Sequence, residues 1–104
     1  MTVYRNEGDW DTSNVIFNNG KIFEYNKAKP RQAMTYIDYG LGVLSKSVVE
    51  CYYQEKFFDL ATIYETLANV GELAGFEVFE RFYEIGSPDG LAQTDEFLRT
   101  KASL

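Results

Sequence analysis

The chain has 104 residues, 45% apolar and 16% aromatic, a composition that folds and sets at most one domain (1–104) around a thin core. Its 16 acidic and 10 basic residues leave a formal net charge of -6, which repels phosphate backbones and argues against nucleic-acid binding. Histidine is absent and Cys51 is the single cysteine, so His bases, His metal ligands, intrachain disulfides and multi-cysteine zinc sites are all excluded.

Thr2 to Asn6 reads as a short strand ended by the turn-rich Asn6-Glu7-Gly8-Asp9. The acidic tract Glu7, Asp9, Asp11 has the spacing of a solvated turn and matches no calcium loop. Val15-Ile16-Phe17 and Lys21 to Tyr25 flank Asn19-Gly20, a pair that tolerates the positive φ of a tight type I′ hairpin turn. In that register Phe17 faces Ile22 and Ile16 faces Phe23, so both faces are apolar, as in a strand pair covered on each side. Lys27 to Gln32, with Pro30, is a loop.

Met34 to Leu44 is apolar and β-prone, and Gly40 and Gly42 inside it mark a bulge or a close approach. Ser45 is placed to cap a short helix carrying Val48, Val49 and Tyr52. Tyr52, Tyr53, Phe57 and Phe58 read as core and helix-packing residues. From Asp59 to Val70 the positions Leu60, Ile63, Tyr64 and Leu67 follow the helical i, i+3, i+4, i+7 rule, with Asp59 as N-cap and Gly71 as the left-handed stop. Gly75 to Ile85 reads as a late strand. Ser87-Pro88 then opens a last helix whose apolar side is Leu91, Phe97 and Leu98. The expected class is α+β, a mixed sheet with a β-hairpin and about three helices.

Three places set polar residues and glycine at apolar strand ends: Asn26-Lys27, Ile37 to Leu41, and Phe82 to Leu91. The third ends a strand in Glu84, turns on Gly86 and enters a helix through Ser87-Pro88. Such a turn can aim Glu84 at a metal or ligand beside a helix N-terminus, or be an ordinary β-to-α turn with a solvated glutamate. Asp38 is either a ligand carboxylate or a strand-end acid bonding local backbone, and Lys27 either an anion contact or a solvent-facing lysine.

In their order, these segments resemble the C-terminal half of bacterial sugar-1-phosphate nucleotidyltransferases, in the branch acting on mannose- or heptose-type 1-phosphates. R-F-Y-E-I-G-S-P-D-G-L (Arg81 to Leu91) is similar to the family signature of an aromatic, an acid and Gly-Thr/Ser-Pro before a helix. I-D-Y-G-L-G-V-L (Ile37 to Leu44) resembles the strand lining the sugar pocket, and N-N-G-K-I-F-E-Y-N-K the hairpin that ends in Glu-Lys-Pro. The helix F-D-L-A-T-I-Y-E-T-L and the following L-A-G-F-E-V-F-E also fit, so the likeness runs from Met1 to about Phe97.

The resemblance implies a fold, the C-terminal half of an α/β nucleotidyltransferase, and a reaction in which a sugar-phosphate oxygen attacks a nucleoside triphosphate to form an NDP-sugar. It also implies site residues: Lys27 on the sugar phosphate, Asp38 and Gly40 in the sugar-binding strand, and Glu84 as one acid holding Mg²⁺. Asn26 stands where the family has a glutamate, Ala28 replaces its proline, and Glu84 its aspartate. No G-x-G-T-like phosphate loop occurs in the 104 residues. The resemblance therefore implies a truncated fragment that is inactive alone, works with a separate N-terminal nucleotide-binding half, and covers its exposed apolar side as a homo-oligomer, while the lone Cys51 thiol fits a reducing, cytoplasmic setting. The alternative it leaves is a stand-alone oligomeric interaction or sugar-phosphate-binding module without catalysis. Neither reading involves a membrane, since no run approaches the ~18 apolar residues of a span.

Overall fold

The computed structural model describes residues 1–6 and 12–102; the acidic tract Glu7, Asp9, Asp11 lies outside them. Over the described residues the fold is α+β: a five-stranded mixed, curled sheet with three helices. Its strands are β1 (Thr2–Arg5), β2 (Val15–Asn18), β3 (Lys21–Tyr25), β4 (Tyr36–Asp38) and β5 (Phe76–Val78), in the order β3-β2-β4-β1-β5. Only β1 and β5 run parallel. The curl brings the chain before β5 back to the far edge, where Lys21 bridges Ala74 and the Ile22 and Gly75 amides donate to the Leu73 and Gly20 carbonyls.

The hairpin turn forms as its chemistry dictates, with Asn19 at φ 48° and Gly20 at φ 77°. Its register departs from the sequence expectation. Phe17 does pair with Ile22, but a bulge between Ile16 and Phe17 sets Ile16 opposite Glu24. Phe23 becomes the extra residue and points to solvent, so the hairpin is not covered on both faces. Ile22 and Tyr25 turn inward, against helix α2 (Leu60–Asn69).

The two long apolar runs are strands only in part. Of Met34 to Leu44, three residues pair as β4, because Gly40 takes a positive φ of 103° and turns the chain out of the sheet. Of Gly75 to Ile85, only Phe76–Val78 pairs. Gly42 and Gly75 are close-approach positions: a Cβ would meet the Tyr64 hydroxyl at 2.0 Å in the first case and Ile22 Cδ1 at 2.7 Å in the second.

Helix α1 (Lys46–Glu50) follows Ser45, whose hydroxyl makes no capping bond and instead pairs with the Ser47 hydroxyl. Helix α2 is the well-formed one. The Asp59 carboxylate accepts from the Ala61 amide at 2.9 Å, and Gly71 ends the helix at φ 74°. Its inward residues Ile63, Tyr64 and Ala68 join Val3, Val15, Ile22, Tyr25 and Leu73 in the core. The aromatic run between α1 and α2 lies outside that core. Tyr53, Phe57 and Phe58 are exposed, and Tyr52 and Phe58 pack on each other.

Helix α3 (Pro88–Ala102) buries only Gly90, and Leu91 and Leu98 of its apolar side face solvent. It is held through the segment before it. Tyr83 stacks on Phe97 with centroids 4.2 Å apart, Arg81 lies over the Tyr83 ring and donates to Gln93, and the Thr94 hydroxyl donates to the Glu84 carbonyl. No helix among the described residues is long and apolar enough to cross a membrane.

Candidate functional site

Strands β3 and β4 both run antiparallel to β2, which lies between them, so their C-terminal ends reach the same end of the sheet. That topology gathers Asn26-Lys27 and Asp38 to Gly40. Asn14, immediately before β2, links the two ends. Its carbonyl accepts from the Asn26 amide at 3.0 Å and its side chain from the Asp38 amide at 3.2 Å.

Asp38 is the centre of this end. Its Oδ1 accepts from the Gly40 amide at 2.9 Å and holds the left-handed bend that glycine permits. The space where a Gly40 Cβ would stand is open, so the bend leaves room above it. Thr2 fastens the far side of the loop, its hydroxyl donating to the Leu41 carbonyl at 2.7 Å.

Two tyrosines within electrostatic reach of Asp38, Tyr25 from β3 and Tyr64 from α2, meet each other with ring centroids 5.7 Å apart in an edge-to-face contact. Burial pushes the Tyr25 phenol up to about 12, and the Asp38, Asp59 and Tyr64 groups push the same way. Burial and then the Asp38 carboxylate raise Tyr64 as well. A phenol with a raised folded pKa stabilises the fold fully below its unfolded value near 10, and that contribution is lost as pH climbs through the folded value. The protein is therefore expected to lose stability between pH ~10 and about 12, in step with tyrosinate formation. A urea midpoint that stays constant across that range rules out this coupling.

Lys27 sits at the same sheet end. It lines a small cleft with Asp59, Thr62 and Glu65 at the start of α2, and no hydrogen bond or ion pair joins it to Asp38 among the described residues. The Asn26 side chain accepts from the Ala28 and Lys29 amides and so is spent on its own turn.

Glu84 is clasped by the turn it begins. Oε2 accepts from the Gly86 amide at 2.6 Å and Oε1 from the Ser87 hydroxyl at 2.8 Å, while Ser87 Oγ accepts from the Gly90 amide at 3.0 Å. The carboxylate thereby organises the entry to α3. No group of three or more Cys, Asp and Glu side chains that could hold a metal occurs among the described residues. Both oxygens of the one carboxylate at this turn, Glu84, accept hydrogen bonds from the turn itself.

Sequence reasoning named Lys27, Asp38, Gly40 and Glu84. It missed Asn14, Tyr25 and Tyr64, whose importance comes from strand order and helix packing. Gly42 held the one local signal, since it must be small where the Tyr64 hydroxyl approaches. No family model matches the chain, and neither a curated protein nor a solved structure matches it.

Proposed function

We propose that this chain binds a sugar 1-phosphate at the end of the sheet carrying Asp38, as the sugar-phosphate-binding part of a nucleotidyltransferase whose nucleotide is held by a separate half. The observation that carries the reading is a half-buried carboxylate, Asp38, that holds an open glycine bend and whose charge reaches two buried phenols. Asp38 accepts hydrogen bonds from sugar hydroxyls, the buried Tyr25 and Tyr64 rings back it from the core side, and the Gly40 bend lets ligand approach backbone. Lys27, at the same end, supplies the cation for the phosphate. The resemblance of Arg81 to Leu91 to the family signature supports the same reading, with Glu84 acting as the residue that positions the turn.

Calorimetric titration with mannose 1-phosphate, free mannose and inorganic phosphate tests this. The sugar phosphate is expected to bind, Asp38→Ala to weaken it about tenfold or more, and Lys27→Ala to weaken the phosphate ester while sparing the free sugar. Sugar-phosphate binding that is absent, or indifferent to Asp38→Ala, rejects the proposal.

A further inference from the structure

The chain exposes 7696 Å² of surface. A folded monomer of 12.0 kDa exposes about 6,000 Å², so roughly 1,700 Å² remains uncovered beyond the norm. Its radius of gyration of 15.7 Å likewise exceeds the ~13 Å expected of a compact chain of this length. A standard interface covers about 800 Å² on each partner, so the excess is large enough for one.

Part of this surface is apolar and lies in one place. A groove of about 720 Å³ runs between residues 41–48 and 72–76, floored by Leu44, Leu67 and Leu73. Leu41, Val43 and Phe76 line it and stand 66%, 90% and 70% exposed. Its two charges, the Glu72 carboxylate and the Met1 ammonium, are opposite in sign. A chain of net charge -6 therefore meets no like-charge barrier here, and a cationic partner finds little to pair with.

From these observations we propose that the groove is a self-association surface whose occupant is a second copy of this chain. Phe76 belongs to β5, the last strand in the sheet order, and lies at the groove it would fill in the partner. Knob and hole on the same face are what a two-fold, isologous contact requires. A two-fold axis beside β5 sets the Phe76 ring of each copy into the groove of the other, with Val43 closing over it. This proposal does not rest on the sugar-phosphate reading.

Sedimentation equilibrium on the full chain tests it, from about 1 to about 200 µM, a range that captures micromolar dimers. A dimer is expected. Phe76→Asp and Val43→Asp are each expected to weaken it about 100-fold, whereas Leu98→Asp, on exposed α3 away from the groove, leaves it intact. Val43 is so exposed that its replacement spares the fold, and matching circular dichroism confirms this for each variant. A monomer throughout the range overturns the proposal, as does a dimer unaffected by Phe76→Asp and Val43→Asp.

Discussion

Ile22→Ala is expected to bring the protein to the edge of unfolding, by about 2–5 kcal/mol. Ile22 has no exposed surface and sits where the sheet curls shut, its amide donating to the Leu73 carbonyl and its side chain against the backbone of Gly75. It belongs to a cluster with Val3, Val15, Tyr25, Tyr64, Ala68 and Leu73 that joins the sheet to α2. Truncation leaves a cavity in a core that has little around it to collapse inward, because α3 and the aromatic run from Tyr53 to Phe58 pack elsewhere. Domains of this size are stable by only about 5–15 kcal/mol, and this open one belongs toward the lower end. Urea unfolding followed by circular dichroism measures the loss. Val43→Ala, on an exposed side chain, is expected within about 0.5 kcal/mol of the parent under monomeric conditions. An Ile22→Ala cost below about 1 kcal/mol means that the closure is not where the core draws its stability.

Gly90→Ala is expected to detach α3 while leaving it helical. A Cβ at Gly90 would stand 1.9 Å from Glu84 Oε1 and 2.6 Å from the Glu84 backbone oxygen. The backbone oxygen cannot swing away as a side chain does, so the turn itself must open. Overpacking of this kind costs about 1–3 kcal/mol, and opening also breaks the Glu84 bonds to Gly86 and Ser87. Alanine favours the helix by about 1 kcal/mol over glycine, so the helical signal survives as the docking is lost. Hydrogen exchange is expected to rise in residues 80–90 and to stay unchanged in α2. Unaltered protection across that turn would falsify the view that Glu84 and Gly90 fit together as a clasp. The sugar-phosphate binding proposed at Asp38 is expected to be the same in this variant as in the parent, since no contact joins Glu84 to Asp38, Gly40 or Lys27 among the described residues.

Much of the fold was legible wherever the responsible chemistry is local. Asn19-Gly20 specified its turn through positive φ, Asp59 and Gly71 bounded α2 through capping, and Ser87-Pro88 opened α3. The α+β class followed from the same punctuation. Register and strand length were less legible, for two different reasons. Ile16 and Phe23 are both apolar, so pattern alone does not choose between pairing them and bulging one out. The runs Met34 to Leu44 and Gly75 to Ile85 look uniformly strand-like, yet a strand lasts only as long as a neighbour pairs with it. Here β1, four residues long, is that neighbour for both.

The candidate site divides along the same line. Asp38 and Gly40 were recognisable because their link spans two residues, within reach of a short side chain and one permissive φ. Glu84 and its turn were visible as a motif, but that both carboxylate oxygens fold back onto Gly86 and Ser87 was not. Asn14, Tyr25 and Tyr64 could not be chosen in advance. Residues 11 to 50 positions apart in the chain are brought to one region only when β2 lies between β3 and β4 and α2 packs on β3. By itself, then, the sequence determined the turns, caps, class and glycine bends, whose energies depend on a few adjacent residues. Tertiary structure alone decided the register, the exposure of the aromatics and the company of Asp38, because those follow from burial shared among distant segments.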